Sequence, residues 1–337
     1  MGLILTCNAG STNTKLAAFD RQTLEIKGHT VAHGAAEEIA WIHSIGDVDN
    51  IDVVGHRVVH GGHIFIRPQR ITKDVLRQLK DFIPLAPLHQ PAALRLIEES
   101  QKLYPHIPHV ACFDTAFHHT MPEIECRIPL PSHYHQQGVQ RYGFHGLSYQ
   151  HVANTLPKIA GDKAQGRIIA AHLGGGASAC AMTGLKSVAS TMGFSTLDGL
   201  MMSTRCGVLD PGVIFHLLKE LGMTVSAVEQ LLYKESGLLG VSGISADMRA
   251  LRASDKPEAR EAVALYCHLA ARQIAGLLPA IGGLDALVFT GGIGENDDFV
   301  RNAIAQALHW IGDFSVYVIP ADEERVIAES CQAGIFR

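Results

Sequence analysis

One stretch near the start of the chain, LILTCNAGSTNTKLAAFD at residues 3–20, decides the fold. Apolar runs typical of strands lie on both sides of a turn of Gly, Ser, Thr and Asn, so the stretch predicts a β-hairpin. Halfway along the chain, RIIAAHLGGGASACAM at residues 167–182 repeats this arrangement. Gly-rich turns expose backbone N–H groups that can hold phosphate oxygens. Because a strand and not a helix follows each turn, neither the dinucleotide-binding fold nor the P-loop fits. Two such hairpins predict a duplicated fold that holds a phosphate chain between two lobes.

The composition is that of a folded protein with no nucleic-acid or membrane partner. With 337 residues, 47% of them hydrophobic and 18% charged, the chain is neither disordered nor small enough for one ordinary core, so we predict two domains. The 28 basic residues form no run and the net charge is -5, so we expect no nucleic-acid partner. The start of the chain lacks the features of a signal peptide, and no apolar stretch reaches membrane-spanning length. The seven cysteines are scattered without a Cys-x-x-Cys pair, which is typical of reduced thiols in a cytoplasmic protein.

The order of predicted elements indicates two similar α/β halves, each beginning with three strands. Strands after the first hairpin are predicted at residues 24–31, 51–60, 109–113, 168–171, 178–182, 187–189, 286–290 and 315–319. Helices are predicted at residues 74–82, 91–104, 225–232, 257–278 and 295–310, with one opened by Asp210-Pro211 and a last one after Pro320.

Three Gly-rich segments are candidate phosphate sites: residues 8–15 (NAGSTNTK), 174–176 (GGG) and 291–296 (GGIGEN). The third follows an apolar strand and precedes a helix, so its backbone could approach a phosphate or a ribose closely. Each segment alone could be an ordinary flexible turn. Three of them in one chain favour the binding of a phosphorylated ligand.

Charged side chains occur among small or aromatic neighbours in GHRVVHGG (55–62), FDTAFH (113–118), YGFHG (142–146) and MSTRCG (202–207). An Arg in an apolar strand is unfavourable unless it meets an anion, so Arg57 binds either an anionic ligand or a buried carboxylate. Asp114 follows a strand at the end where active sites of such sheets lie. The run SADMR at residues 245–249 has a plain alternative as a capped first helical turn, since Ser is a common N-cap. None of the 19 histidines has the spacing of a zinc site, and we expect no metal site built from protein alone.

Taken together, these segments resemble the acetate kinase family of short-chain carboxylate kinases, of which this chain would be a shortened member. The matching strings occur in family order along nearly the whole chain: NAGSTNTK, GHRVVHGG, PLAPLHQP, FDTAFHHTMP, RYGFHG, HLGGGAS, MMSTRCGVLDPG, DMR and FTGGIGEN, with IPADEE near the end. The resemblance implies an α/β fold like that of actin, Hsp70 and sugar kinases (ribonuclease H-like), with duplicated domains and the nucleotide in the cleft between them. It implies an N-terminal kinase domain at 1–118 plus a C-terminal helix at about 324–337, and a C-terminal nucleotide-binding domain at 119–323. It also implies a cytoplasmic homodimer that uses Mg2+, with Mn2+ as an alternative, and ATP as co-substrate to phosphorylate a short carboxylate, with acetate as the expected acid.

The resemblance also implies roles for individual residues. The metal would be held by Asn8 and Glu323. The catalytic residues would be Arg57, His89, Asp114, His145 and Arg205. The carboxylate substrate would be bound by Arg57, Val59, Leu88 and Phe144. The nucleotide would be bound by Lys15, His172, Leu173, Gly174, Gly175, Gly176, Asp247, Met248, Arg249, Gly292, Ile293, Gly294, Glu295 and Asn296. Because a carboxylate is already a nucleophile and phosphoryl transfer needs mainly positioning and charge neutralisation, we expect Asp114 to organise the metal and its waters rather than take a proton.

The chain departs from the family pattern at four of these motifs. Gly175 replaces an Asn that faces the phosphates, Asn13 a Ser, Ser203 a Gly, and Thr196 a Pro beside the acyl pocket. Loss of the Asn donor would remove about 1–3 kcal/mol of charge-assisted hydrogen bonding. These changes leave two alternatives: a kinase of the same family for propionate or butyrate, or with another phosphoryl donor such as pyrophosphate, and a catalytically impaired nucleotide-binding regulatory protein. Retention of the charged set argues against the second alternative, since binding alone would not need it.

Overall fold

The chain divides into two compact units in a computed structural model that describes residues 2–10, 13–44, 50–87 and 89–334. Unit 1 consists of Met1–His119, Phe144–His151 and Asp322–Arg337, and unit 2 of Thr120–Gly143 and Val152–Ala321. Unit 1 therefore takes in residues 144–151, which the predicted division assigned to the second domain. The predicted boundaries at residues 118 and 323 stay a prediction.

Unit 1 contains one mixed sheet and its helices. Its strands are β1 (Leu3–Ala9), β2 (Thr14–Asp20), β3 (Ile26–Ala32), β4 (Ile51–Val58), β5 (Gln69–Arg70) and β6 (His109–Phe113). Its helices are α1 (Ala35–Ser44), α2 (Lys73–Asp81), α3 (Gln90–Leu103) and the last helix of the chain, α15 (Glu323–Gln332). The strand order is β3-β2-β1-β4-β6-β5, in which β1, β4 and β6 run parallel and β2 and β3 antiparallel to their neighbours.

Both faces of this sheet are covered by apolar side chains. On one face Ile4, Phe19 and Val53 pack against the buried side of α15, including Ile327. On the other face the buried neighbours include Leu5 and Leu96, the latter from α3. Burial on both faces explains why β1 begins as an apolar run and why most residues of β4 are buried.

Unit 2 contains a second mixed sheet with more helices. Its strands are β7 (Arg167–Leu173), β8 (Ala177–Thr183), β9 (Lys186–Ser190), β10 (Ala286–Thr290) and β11 (Ser315–Val318). Its helices are α4 (Glu123–Cys126), α5 (Ser132–Gln136), α7 (Pro211–Lys219), α8 (Val225–Lys234), α9 (Gly237–Ser242), α10 (Met248–Arg252), α11 (Pro257–Ala275), α12 (Leu278–Ile281), α13 (Gly291–Asn296) and α14 (Asp298–Ala307). Helix α6 (Gly146–Ala160) has residues in both units. The strand order is β11-β10-β7-β8-β9, with β7, β10 and β11 parallel.

The duplicated fold predicted from the two hairpins is confirmed. In unit 1 the order β3-β2-β1-β4-β6 is a three-stranded antiparallel meander followed by two parallel strands, and β9-β8-β7-β10-β11 repeats it in unit 2. The predicted strand at 109–113, the strand at 286–290 and the Asp210 cap of the helix beginning at Pro211 are all found. The fold is therefore the two-domain α/β fold expected for actin-like and sugar-kinase-like proteins.

Some predicted elements were wrong in detail. The helix predicted at residues 295–310 is two helices, because Asp297 breaks off α13 and caps α14. The helix after β10 begins at Gly291, four residues earlier than predicted. Ser245 is not the cap of the following helix: α10 begins after Asp247, whose side chain accepts a hydrogen bond from the Arg249 backbone. Helix α6 was missed because its sequence begins with Gly and contains Pro157.

Two further observations concern the whole of the described chain. Among the residues that the structure describes, no helix is both long and apolar enough to cross a membrane. All seven cysteines are described, and no disulfide joins any two of them.

Candidate active site

Three polar side chains of unit 1 lie together because of the sheet topology. Asn8 is the penultimate residue of β1, Arg57 that of β4, and Asp114 directly follows β6. These three strands are parallel neighbours, so their carboxyl ends meet at one edge of the sheet. The sequence predicted a strand end for Asp114, a turn for Asn8 and a position within a strand for Arg57, and the strand order brings the three residues together.

Arg57 makes a forked ion pair with Asp114. Its Nε donates to Asp114 Oδ1 at 3.0 Å and its Nη2 to Asp114 Oδ2 at 2.6 Å. Its Nη1 donates to Asn8 Oδ1 at 3.0 Å. The Asp114 side chain is 1% exposed, whereas that of Arg57 keeps 13% of its surface exposed. Of the two alternatives for Arg57, the buried ion pair is present, and the binding of an anionic substrate stays a prediction.

The amino terminus of α15 adds two carboxylates to this cluster. The Nδ2 of Asn8 donates to Glu323 Oε2 at 2.8 Å and to Glu324 Oε1 at 2.6 Å. Glu323 Oε2 also lies 3.7 Å from Arg57 Nη1. Glu323 was predicted to hold the metal, whereas Glu324 was not predicted as a site residue. The signal available was the pair of adjacent acids, Glu323 and Glu324, after Pro320 near the start of the predicted last helix.

Burial and neighbouring charges both shift the pKa values in this cluster. Burial raises the pKa of Asp114, the Arg57 guanidinium lowers it, and the Glu323 carboxylate raises it again. Burial likewise raises the pKa of Glu324, which the Lys15 charge opposes. Burial alone would lower the pKa of Arg57, but the carboxylates around it raise that pKa above its ordinary value. Arg57 is therefore permanently protonated, and three carboxylates compete for it.

Two other predicted residues of unit 1 lie next to this cluster. Lys15 pairs with Asn8 across the β1–β2 hairpin, and its side chain is exposed. His145 has a positive φ of +59°, a conformation that is strained for a residue other than glycine. The backbone N–H of His145 donates to the Asp114 carboxylate and lowers its pKa, and the next N–H, of Gly146, donates to the Asp114 carbonyl at 2.9 Å. His145 is thus held beside Asp114 by the backbone.

The predicted substrate-binding residues of unit 1 are buried and apolar where they are described. Val59 follows β4 and is 2% exposed, and Phe144 is completely buried. The ring of Phe144 contacts His60 edge-on, with 5.5 Å between ring centroids, and its carbonyl is bonded by His118 Nε2 at 2.9 Å. His89 precedes α3 and is nearly buried. Leu88 lies outside the described residues.

The residues predicted to bind phosphates in unit 2 come together at the ends of β7 and β10. The turn between β7 and β8 consists of Gly174–Gly176, and the turn after β10 begins with Gly291 at φ +79°. A Cβ on Gly291 would lie 2.8 Å from the carbonyl oxygen of Leu173, so the two turns are in direct contact. His172 pairs with Thr290 in the register of β7 and β10.

Side chains in the second of these turns mostly stabilise the turn itself. Asn296 Nδ2 donates to the Gly292 carbonyl at 2.9 Å, and Glu295 Oε1 accepts from the Ala321 backbone at 2.8 Å. Gly294 is buried, and a Cβ there would make ordinary van der Waals contacts of 3.6 Å with the Cβ atoms of Leu173 and Phe289. Ile293 is half-buried. The backbone N–H groups of this turn are candidate donors to a ligand.

Arg205 lies in the segment between β9 and α7, and its side chain is buried. Its Nη1 donates to the Thr196 carbonyl at 2.7 Å. The segment contacts the first glycine turn, because the Ser203 backbone N–H donates to the Gly175 carbonyl at 3.3 Å. Two positions that depart from the family pattern, Gly175 and Ser203, are therefore direct neighbours.

The predicted Asp247–Arg249 segment forms a self-contained surface pair. Arg249 Nη2 lies 3.0 Å from Asp247 Oδ2, and the Arg249 side chain is 88% exposed. Met248 is buried. The link from this helix to the GGIGEN segment runs through Arg252, whose Nε lies 3.7 Å from Asp297 Oδ2 and whose guanidinium covers the ring of Phe299.

The structure thus gathers the predicted residues into two sets. Among the residues that the structure describes, no cluster of three or more His, Cys, Asp or Glu side chains is arranged to hold a metal ion by itself. The unit 1 set can bind an anion through Arg57 and a hard cation through carboxylate oxygens. The unit 2 set offers backbone N–H groups and a buried arginine, which suit phosphates.

Comparisons with known proteins show the family of this chain. A model of the acetokinase family matches residues 11–331. The acetate kinase of Rhodopseudomonas palustris is 43% identical over 97% of this chain and 96% of its own length. The crystal structure of a propionate kinase from Francisella tularensis matches with a TM-score of 0.90 at 32% identity, over 98% of this chain and 99% of that one. The Porphyromonas gingivalis acetate kinase structure matches with a TM-score of 0.88 at 32% identity, over the whole of both chains.

These matches cover both units and both sets of site residues, and they do not favour the regulatory alternative. The chain belongs to the acetokinase family and is a carboxylate kinase, a phosphotransferase with a carboxyl group as acceptor.

Proposed function

We propose that this chain transfers the γ-phosphoryl group of ATP reversibly to acetate, with Mg2+, to give acetyl phosphate. The observation that carries the proposal is the cluster of Asn8, Arg57, Asp114, Glu323 and Glu324, of which Asn8, Asp114 and Glu323 are buried. Three carboxylates around one guanidinium are a poor arrangement for stability alone, because removing charges from water costs free energy even when they are paired. It is a good arrangement for a site that will receive a cation and an anion together.

The acid would bind through Arg57. Its guanidinium keeps part of its surface exposed, so an incoming carboxylate can approach it while Asp114 fixes its plane. Val59 and Phe144, both buried and apolar, would surround the methyl group. A carboxylate oxygen of the acid then attacks the γ-phosphorus, the bond to the ADP oxygen breaks, and no proton has to move.

The donor set of unit 1 fits Mg2+. This ion prefers oxygen ligands, retains several waters and is held by one or two carboxylates together with substrate phosphates. Asn8 and Glu323 would hold the hydrated ion, with Glu324 beside them, and the ion would neutralise charge on the phosphoryl oxygens. A divalent charge would also oppose the burial and the neighbouring carboxylate that raise the pKa of Asp114 and Glu324.

The nucleotide would be bound by the glycine turns of unit 2. Gly174–Gly176 and the segment beginning at Gly291 present backbone N–H groups at adjoining strand ends. Arg205 would stabilise the phosphoryl group during transfer, with His145 donating a hydrogen bond to it and His89 lining its path. Lys15, next to Asn8, would contact the phosphates.

The experiment is the trapping of acyl phosphate as a hydroxamate, with ATP or pyrophosphate as donor, with and without Mg2+, across formate, acetate, propionate and butyrate. We expect turnover with ATP and acetate, dependence on the metal, and a loss of roughly 10³–10⁵-fold in Arg205→Ala. Arg260→Ala is the matched control, because Arg260 is exposed in unit 2 and its Nη1 donates to the nearby Asp255 carbonyl.

The outcomes separate the alternatives. A ranking with propionate or butyrate first would assign another acid, and one extra methylene is worth only about 1–3 kcal/mol of discrimination. Turnover with pyrophosphate alone would assign another donor. No acyl phosphate from any acid, despite ATP binding, would refute the proposal.

We also propose a cytoplasmic homodimer. Apolar side chains exposed on and around α7 and α8 support a partner surface on unit 2: Val208, Val213, Phe215, Leu221 and Val225. Cysteines without disulfides fit a reducing compartment. Light scattering of the wild type should give the mass of two chains, and Phe215→Glu should give one.

A further inference from the structure

The segment that carries Arg205 has no helix or strand between Ser190 and Pro211, and a neighbouring corner holds its backbone. The α8–α9 corner, residues 232–239, joins the end of α8 to the start of α9. It makes four backbone hydrogen bonds with residues 202–206: Cys206 N to Leu232 O, Ser236 N to Thr204 O, Leu238 N to Met202 O and Leu239 N to Ser203 O, at 2.9–3.2 Å. Arg205 sits between the residues so bonded, and its own carbonyl accepts from Met202 N at 3.1 Å.

One side chain completes this backbone pairing. Thr204 Oγ1 donates to the Tyr233 carbonyl at 2.9 Å, at the last turn of α8. The bond therefore ties Thr204, the residue directly before Arg205, to the regular helix α8. No other side-chain hydroxyl of residues 202–206 makes a bond to the corner among the described contacts.

The corner approaches the Arg205 segment too closely for any residue but glycine at its centre. Gly237 has a φ of +63°, and a Cβ there would lie 2.2 Å from the Met202 carbonyl oxygen and 2.8 Å from that of Arg205. Glycine at this point therefore permits direct contact of two backbones.

The guanidinium end of Arg205 is fixed by the same neighbourhood. Its Nη1 donates to the Thr196 carbonyl, and the Tyr233 phenol hydrogen-bonds to Ser195 while lying within the field of the Arg205 charge. Tyr233 thus contacts the Arg205 segment twice, through its carbonyl and through its ring.

We propose that Thr204 and Tyr233 are positioning residues for Arg205: through the α8–α9 corner they fix where its guanidinium meets the transferred phosphoryl group. The proposal rests on the proposed role of Arg205 in phosphoryl transfer. Misplacement of such a group by about 1 Å can lower the rate by roughly 10²-fold without weakening ground-state binding. The corner would therefore act on turnover and not on substrate affinity.

The test is Thr204→Val, which keeps the shape and removes the donor, compared with Thr204→Ser, which keeps the donor. We expect Thr204→Val to lower kcat by roughly tenfold, with KM for ATP and for the acid unchanged within about a factor of two, and Thr204→Ser to restore turnover. Thr224→Val is the matched control. Thr224 caps the opposite end of α8 by accepting from Ala227 N at 3.2 Å, so its loss should lower stability similarly and leave kcat unchanged.

A double variant distinguishes positioning from a general structural effect. If Thr204 acts through Arg205, adding Thr204→Val to Arg205→Ala should cause no further loss of turnover. Multiplying losses would overturn the proposal, as would equal kcat values for Thr204→Val and Thr224→Val. If Thr204→Val does not fold, Tyr233→Phe removes only the phenol hydroxyl, and wild-type kcat in that variant would count against the proposal. Failure of the proposed function would look different, because the wild type itself would then form no acyl phosphate or would not depend on Arg205.

Discussion

The two units share a strand order but end their central strands in opposite ways. In unit 1, the carboxyl ends of β1, β4 and β6 carry Asn8, Arg57 and Asp114, whose polar side chains could supply the chemistry. In unit 2, glycine turns follow the corresponding strands β7 and β10, and there backbone N–H groups could bind the ligand. The duplicated fold therefore has two kinds of strand end: those of unit 1 carry polar side chains, and those of unit 2 lead into glycine turns. Charged side chains suit a small acid and a metal, and backbone N–H groups suit a phosphate chain.

Two forked salt bridges, one in each unit, differ in burial and in the pKa of their carboxylates. Arg57–Asp114 in unit 1 and Arg167–Asp285 in unit 2 both use Nε and Nη2 to grip two carboxylate oxygens. The first carboxylate is 1% exposed and the second 39%. In unit 2 the pair lowers the pKa of Asp285 to about 2, whereas in unit 1 burial and a neighbouring carboxylate raise that of Asp114. Equal geometry therefore gives opposite electrostatics, because burial and neighbours differ.

The largest expected effect separates these two pairs. Asp114→Asn should lower acyl phosphate formation by roughly a thousandfold or more, because the amide can neither balance Arg57 nor organise a metal. Asp285→Asn, the matched change in the exposed pair, should leave turnover within about a factor of two, as expected of a surface ion pair. Steady-state assays of both variants measure these losses. Similar losses in both would contradict a special role of the buried pair in turnover.

The second effect concerns the glycine edge of unit 2. Gly291→Ala should lower the free energy of unfolding by up to about 3 kcal/mol, since the residue has a φ of +79° and a Cβ there would meet the Leu173 carbonyl at 2.8 Å. Gly292→Ala is the control, because a Cβ there meets no atom within 4 Å. Urea unfolding measures both, and equal stabilities would show that the two turns are not in fixed contact.

The third effect is acid sensitivity in unit 1, where burial lowers the pKa of His118 to about 4. The unfolded chain, with a pKa near 6.5, then takes up the proton first as the pH falls. The stabilising contribution is therefore complete above about pH 6.5 and is lost as the pH falls toward 4. Between pH 7 and pH 5 the loss is about 2 kcal/mol for this residue.

His118→Gln tests this directly, because glutamine can still donate to the Phe144 carbonyl but does not titrate. Urea unfolding at pH 7, 6 and 5 should show a shallower pH dependence than in the wild type. His119→Gln, at the exposed neighbouring position, should keep the wild-type slope. An unchanged slope in His118→Gln would mean that this imidazole does not govern the acid response.

The smallest expected effect concerns Gly175, where asparagine would add a side-chain hydrogen-bond donor to the first glycine turn of unit 2. A Cβ at Gly175 meets no atom within 4 Å, so Gly175→Asn has room and can contribute a hydrogen bond to a phosphate. We expect KM for ATP to fall by up to about tenfold, with kcat little changed. Gly184→Asn, in the β8–β9 turn where φ is +56°, is the control and should leave KM unchanged. A raised KM in Gly175→Asn would indicate that this position is crowded when the nucleotide is bound.

Local sequence determined much of this protein. Apolar runs and glycine turns predicted both hairpins and the duplicated α/β fold, because strand periodicity and turn chemistry act over a few residues. The position of Asp114 after a strand and the Asp210-Pro211 helix start followed from equally local signals. The ordered motifs then indicated the family, and with it the candidate residues.

Only the tertiary structure decided which of these residues meet. Glu324 joined the site because α15, more than 300 residues along the chain from Asn8, begins beside the end of β1. The support of Arg205 by Thr204 and Tyr233 has the same origin, since a corner of two helices supplies it and no local pattern encodes it. Pairing of the parallel strands β1, β4 and β6 brings Asn8, Arg57 and Asp114 together across more than 100 residues. Local preferences are set by neighbours in sequence, whereas charge balance and positioning arise from burial between distant segments, and these appear only when the chain has packed.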